Sequence, residues 1–260
     1  MGFGKRITRS LFQGMGYYPA ALFARAVRPS WSPIVAGDLQ SASFELAVKE
    51  FAGRSIAGTD LCKIMLAHGS DKGRRQHNYT AFYEGLFGPQ RLSTTAVFEM
   101  GIGTNNENLA STMGKYGRPG ASLRGWRDYF PASRIFAGDI DRDIMFKEER
   151  IDCFVCDQTN SISINKMWSE PQLNGITFDI IIDDGLHTFE GGAVFLGNAI
   201  GRLKPGGYYV IEDILKSDIE MWINYLPKVA SGNVRAKWAF VQLPHPVASD
   251  NNLVVLQVLK

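Results

Sequence analysis

The chain has little cysteine, little histidine and almost no excess of charge. Its 260 residues include three Cys and four His, and 28 basic residues face 26 acidic ones for a formal net charge of +2. That balance excludes a general attraction to polyanions, and no nucleic-acid partner is expected. Cys153 and Cys156 have C-x-x-C spacing, but they stand in IDCFVCDQ, which reads as a strand, and no second pair completes a zinc site. They are expected to be reduced, buried thiols of a cytoplasmic protein. No apolar run approaches the roughly 20 residues of a membrane-spanning helix. Acidic residues are missing from the first 31 positions, where Lys5, Arg6, Arg9, Arg25 and Arg28 make a basic arm. Its apolar stretches are too short and interrupted for a secretion signal. Arg6 stands where a myristoylation motif needs Ser or Thr. The arm reads as an ordered extension or a contact between copies in a homo-oligomer. There are no internal repeats or low-complexity segments.

What is present suits one large domain with an extension, since a chain this long can bury a substantial core without staples. Residues 1–60 carry no clear strand pattern, and 41–53 have helical spacing, with Phe44, Leu46, Ala47 and Phe51 apolar. Residues 59–91 read as two helices around a polar loop, with Thr59 as the first N-cap. From Thr94 onward, short β-rich runs alternate with helical segments. Strands are expected at 95–101, 134–140, 152–157, 178–183, 207–213, 239–244 and 252–259. Alternation of strands with helices means a parallel sheet covered on both faces. The link between the last two strands, 244–252, is too short for a parallel crossover, so they should pair antiparallel. The expected architecture is α/β. A doubly wound, seven-stranded, mostly parallel sheet ends in an antiparallel C-terminal hairpin. A helical N-terminal extension over 1–60 precedes the domain at 61–260.

Ligands of such a sheet bind outside the carboxyl ends of its strands. Each of the first five strands ends on acid: Glu99 before Gly101 and Gly103, then Asp139, then Asp157 with Gln158, then Asp183-Asp184, then Glu212-Asp213. The two glycines let a backbone approach a ligand closely. Asn106 stands where a dinucleotide fingerprint needs Gly or Ala, and the helix is delayed to about Gly120, which argues against a nicotinamide cofactor. Asp139 is placed to accept hydrogen bonds from the ribose hydroxyls of an adenosine, with Asp141 as the neighbouring alternative. Asp157 could accept from an adenine amino group or cap a turn.

A pair of acids ending a buried strand repels itself unless something positive neutralises it. The next strand also ends on an acid pair, and adjacent strand ends lie about 5 Å apart. Crowded carboxylates of this kind suit Mg²⁺, or else a lysine or arginine offsets them. His187, three residues past Asp184, could take a proton from a substrate hydroxyl or cap the following helix. His68, His77 and His245 read as loop or structural histidines, and Tyr79 and Tyr83 as packing residues on one helix face.

FEMGIG, AGDID, VCDQ and the strand order together resemble the class I S-adenosylmethionine-dependent methyltransferases, over roughly residues 60–260. GSDKGRRQHNYTAFYEGLF, GRPGASLRGWRDYFP, IIDDGLH and YYVIEDI narrow the resemblance. They point to the metal-dependent O-methyltransferases that modify sugars on macrolides and aminocoumarins. The resemblance implies a Rossmann-like methyltransferase fold, S-adenosylmethionine and Mg²⁺ as cofactors, and a sugar or other secondary-metabolite hydroxyl as the small-molecule acceptor. It implies Asp184, Glu212 and Asp213 as metal ligands and His187 as the base. Ser70 and Lys72 of GSDKG would lie against the cofactor, together with Glu99, Gly101, Gly103, Ser122, Asp139, Asp157, Gln158 and Asp183. Leu186 departs from the Ser or Ala that the family pattern usually has there, which alters the pocket wall.

Overall fold

The computed structural model describes residues 58–73, 77–243 and 251–259, and the backbone of 34–37. Among the described residues, nine strands form one sheet: β1 (Ile34–Gly37), β2 (Ala96–Met100), β3 (Arg134–Asp139), β4 (Lys147–Glu148), β5 (Ile151–Val155), β6 (Phe178–Asp183), β7 (Leu203–Ile211), β8 (Ala236–Gln242) and β9 (Asn252–Val258). Their order is β1-β8-β9-β7-β6-β2-β3-β5-β4. Strands β7, β6, β2, β3 and β5 run parallel. The expected antiparallel end is present, with β9 inserted between β7 and β8.

Two strands go beyond the seven read from the sequence. β4 is a two-residue antiparallel edge on β5, too short to leave a periodic signal. β1 lies in the segment expected to have no strand, and it pairs antiparallel with the edge of β8. Four residues give too few alternations to register as a pattern, and the partner lies some 200 positions away. The helix expected over 41–53 and His245 lie outside the described residues.

Among the described residues, six helices cover the sheet: α1 (Asp60–His68), α2 (Tyr79–Phe87), α3 (Ala121–Tyr129), α4 (Ser161–Trp168), α5 (Phe189–Ala199) and α6 (Ile219–Ala230). Thr59 caps α1 as its sequence suggests, accepting from the amide of Cys62. On one face, Val97, Ile135, Ile180, Ile182 and Val210 pack against Leu61 and Met65 of α1, Phe82 and Tyr83 of α2, and Trp126 of α3. On the other, Phe98, Phe136, Ile181 and Tyr209 pack against Trp168 of α4, Phe195 of α5 and Trp222 of α6. Alternation along each strand makes the division. Cys153 and Cys156 are free, and burial pushes each thiol up to about 12, away from the reactive thiolate.

The aromatic packing of the second face centres on Phe98. It is fully buried, with ring centroids 4.7 Å from Trp168, 5.7 Å from Phe178 and 5.9 Å from Phe195. Phe98→Ala should lower the unfolding free energy by about 3–5 kcal/mol, read as a reduced urea midpoint with little change in slope.

Candidate active site

The direction of the chain reverses across the sheet between β2 and β6. After β2 it builds outward through β3 to β5, then returns to place β6 on the other side of β2. The crevice at such a switch point is where ligands of doubly wound sheets bind. The backbone ladder runs one residue past the strands here. Asp184 N donates to Met100 O at 2.8 Å, Glu212 N to Asp183 O at 2.9 Å and Gly101 N to Gly138 O at 2.7 Å. The terminal acids are therefore held in register by the sheet itself.

Alternation decides where each acid points. Glu99 shares a face with Val97, Asp184 with Ile180 and Ile182, and Glu212 with Tyr208 and Val210. All three thus project toward α2 and the loop before it, and that loop carries Lys72. The Lys72 ammonium, 1 % exposed, lies 2.6 Å from Asp184 Oδ2, 2.6 Å from Glu212 Oε2 and 3.2 Å from Glu99 Oε1. The other oxygen of each acid meets a different donor: Trp126 Nε1 gives to Glu99 at 2.6 Å, Tyr83 OH to Glu212 at 2.7 Å, and His187 Nε2 lies 3.1 Å from Asp184 Oδ1. Burial works to neutralise Lys72, but Asp184, Glu212 and Glu99 outweigh it and hold its pKa well above the usual lysine value. Burial likewise raises Glu99 and Glu212 against the pull of Lys72. At Asp184, burial is overcome by Lys72 and His187, and the carboxyl falls well below the ordinary range.

Asp213 reaches the same face by a different route. Its φ of 55° lies in the left-handed region, as does the 59° of His187, and each costs a non-glycine residue about 1–2 kcal/mol. Strain of this kind gathers at functional sites. The turn brings Asp213 Oδ1 within 2.6 Å of Tyr79 OH and 3.2 Å of His77 Nδ1, and Oδ2 within 3.6 Å of His187 Nδ1. Burial would raise this carboxyl; His77 and His187 prevail and lower it. His187 therefore stands between two carboxylates, one beside each ring nitrogen. Asp184, His187 and Asp213 offer ligand atoms within 4.8 Å of one another. Two hard carboxylates with an adjoining nitrogen fit a divalent cation, and one lysine leaves the crowded acids short of positive charge. Glu212, expected beside them as a ligand, has its oxygens on Lys72 and Tyr83.

The expected cofactor residues fall into two groups. Lys72, Glu99 and Ser122, which hydrogen-bonds Glu99, stand with the acids. Ser70 lies in the same loop and accepts from Lys72 N at 3.3 Å. Gly101 (φ 98°) makes the close turn beside them, where a Cβ would come within 2.1 Å of the Asp184 carbonyl oxygen. The second group lies toward β3 and β5. Asp139 accepts from the amides of Ile102 (2.8 Å) and Asp141 (2.9 Å), so it shapes the loop containing Gly103. Asp157 accepts from Thr159, which is the turn-capping arrangement. Gln158 joins the two groups, donating to Asp183 at 3.1 Å and accepting from Leu186 N at 2.8 Å.

Sequence reasoning undervalued three residues. Tyr79 and Tyr83 do pack on one helix face, and their hydroxyls also hold Asp213 and Glu212. His77, read as a loop histidine, stacks on Tyr79 with ring centroids 5.2 Å apart while meeting Asp213. The available signal was the i, i+4 spacing of two tyrosines directly after a Lys- and His-bearing loop.

The chain shares the α/β fold of solved methyltransferase structures. Among solved structures, the chain is similar to the MycE methyltransferase from the mycinamycin biosynthetic pathway in complex with Mg and SAH. The TM-score is 0.50 and the identity 27 %, over 68 % of this chain and 41 % of that one. The same enzyme with Mg, SAH and mycinamycin VI gives a TM-score of 0.54 at 22 % identity, over 80 % of this chain and 57 % of that one. By sequence, the chain is 34 % identical over 165 residues to the 8-demethyl-8-alpha-L-rhamnosyl tetracenomycin-C 2'-O-methyltransferase of Streptomyces olivaceus, covering 64 % of this chain and 40 % of that protein. It is 30 % identical over 179 residues to demethylmacrocin O-methyltransferase of Streptomyces fradiae, covering 68 % and 40 %. The chain spans well under half the length of these curated relatives. No known family profile matches it. Among the described residues, no helix is long and apolar enough to cross a membrane.

Asp183 points to the opposite face, 2 % exposed, and burial lifts its carboxyl to about 6 against the Gln158 and His187 contacts. An unfolded Asp loses its proton near about 3.9. The folded state therefore keeps a proton that the unfolded state has released between that value and about 6. Stability from this group is full below the window and falls by up to roughly 3 kcal/mol as pH rises through it. Asp183→Asn removes the effect. Urea unfolding in EDTA should show the variant gaining on the wild type from pH 4 to pH 6 and holding a constant difference above pH 7.

Proposed function

We propose that the protein is an S-adenosylmethionine-dependent O-methyltransferase acting on a hydroxyl of a sugar or other secondary metabolite, with His187 as base and Mg²⁺ assisting. The observation that carries this reading is His187 standing 3.1 Å from Asp184 and 3.6 Å from Asp213 at the switch point. The names of the relatives, sugar-directed O-methyltransferases among them, agree with it. In this reading residues 61–260 carry the chemistry, residues 1–60 extend it, and the enzyme works in the cytoplasm.

S-adenosylmethionine supplies an activated methyl group on a positively charged sulfur. In this reading, the positive φ values of Gly101 and Gly103 make room for it. Glu99 and Asp139, with Ser70, Lys72 and Ser122 nearby, offer polar groups along the crevice, and Asp157, Gln158 and Asp183 border its far end. Asp184 and Asp213 would hold Mg²⁺, with Glu212 adjoining. When bound, the ion polarises the acceptor hydroxyl and lowers its pKa.

His187 then has a defined task. The cofactor would supply the methyl group to the acceptor oxygen and keep the sulfur's electron pair as a neutral thioether, which leaves one proton to be removed from the hydroxyl. The hydroxyl proton passes to a ring nitrogen of His187. The flanking carboxylates fix the ring's orientation and stabilise the imidazolium that forms, and alignment of oxygen, carbon and sulfur supplies the remaining advantage.

Calorimetric titration with S-adenosylhomocysteine in the presence of Mg²⁺ should give micromolar, one-per-chain binding; absence of binding by folded protein would sink the reading. His187→Ala should lower kcat by about 10²–10⁴-fold while S-adenosylhomocysteine affinity stays within a few-fold. A matching loss of affinity would make His187 structural. Activity on an acceptor that survives exhaustive EDTA treatment would remove Mg²⁺ from the mechanism and leave His187 acting alone.

A further inference from the structure

Lys72 is an unusual residue to bury. Its side chain is 1 % exposed, and its backbone is fixed on both sides, with Lys72 N donating to Ser70 Oγ at 3.3 Å and Thr80 N donating to Lys72 O at 3.1 Å. The ammonium has three N–H groups and faces three carboxylates from three adjacent strand ends. Two of those acids, Glu99 and Glu212, are themselves 0 % and 1 % exposed. Three buried anions converging on one point repel strongly, and a single cation at their centre offsets much of that repulsion.

The second oxygens make the arrangement asymmetric. Those of Glu99 and Glu212 are closed by Trp126 and Tyr83. That of Asp184 meets only His187 among the contacts described above, on the side where Asp213 also lies. Lys72 and an incoming divalent cation would therefore act on opposite oxygens of the same Asp184 carboxylate, one on each side. Two cations at that range repel each other, and each diminishes the negative potential that attracts the other.

We propose that Lys72 is a tethered counter-cation. It holds Glu99, Asp184 and Glu212 in place without a metal, and by doing so it weakens and sets the affinity of the site for a divalent ion. It is a positioning residue that acts through the acids. The inference rests on the reading of Asp184 and Asp213 as metal ligands, and it adds that the fold does not depend on the ion because a lysine already stands in for part of its charge.

The test is titration of MgCl₂ into wild type and Lys72→Met, followed by calorimetry and by the midpoint of thermal unfolding, with S-adenosylhomocysteine binding measured on the same preparations. Lys72→Met should unfold at lower temperature without metal. It should bind Mg²⁺ with a midpoint at least tenfold lower than wild type and recover most of its lost stability at saturation. The double variant Lys72→Met/Glu212→Gln, with one uncompensated acid removed, should fold better without metal than Lys72→Met and move the Mg²⁺ midpoint back toward wild type. A Lys72→Met midpoint equal to or weaker than wild type overturns the proposal, since a lysine that merely fills space would not tune the metal. Should Lys72→Met not fold, the double variant decides: folding of the double variant supports charge compensation, and failure with and without Mg²⁺ overturns it. Absence of Mg²⁺ binding in both wild type and variant overturns this proposal together with the metal reading. Retained S-adenosylhomocysteine binding in that case leaves the methyltransferase reading standing.

Discussion

Parallel strands that end together force their terminal side chains into one narrow strip, and in this protein that strip is built of carboxylates. Hydrogen bonds of the ladder fix the backbone of Gly101, Asp184 and Glu212, so the acids cannot separate to relieve their repulsion. Everything around them answers that constraint. Lys72 reaches in from the α1–α2 loop, Trp126 and Tyr83 turn their polar tips inward from an otherwise apolar layer, and two histidines flank Asp213. The helices on this face do more than cover the sheet: α2 and α3 supply the donors that make a buried anionic centre tolerable.

The parallel strands and the antiparallel end were legible because long apolar runs bounded by glycine and acid carry a strong periodic signal. β1 and β4 were not, since edge pairings of four and two residues leave none. The acids were legible as strand terminators, and so was their need of a partner, stated as either a metal or a basic side chain. The basic partner was not identified: Lys72 was read as lying against the cofactor, and only the structure brings it onto the acids. Positions 97 and 99, then 180, 182 and 184, then 208, 210 and 212 fall on one face, the face of the GSDKG loop. Asp183 and Asp213 mark the limit of such counting. Asp183 obeys the alternation and leaves the cluster, whereas Asp213 should leave it and is returned by a left-handed turn that no propensity announces.

The cofactor side was read less completely. Asp139 was read as a ribose acceptor and Asp157 as an adenine acceptor or a turn cap; Asp139 accepts from the amides of Ile102 and Asp141, and Asp157 caps its own turn. Each carboxylate oxygen has a second lone pair, so structural duty and ligand contact are compatible. A sequence gives the position of an acid and not how its lone pairs are shared. Tyr79 and Tyr83 carry the same lesson in reverse, because a side chain that is almost wholly core can still place its one polar atom in a site.

The indole of Trp126 donates to Glu99 at 2.6 Å, stacks on Phe130 and meets Tyr83 and Phe87 at steeper angles. An indole's emission responds to the electric field along its long axis, and a carboxylate at its nitrogen is a strong local source of that field. Glu99 in turn shares Lys72 with Asp184 and Glu212. A change of charge in the crevice therefore falls next to a buried indole that is hydrogen-bonded to one of the clustered acids.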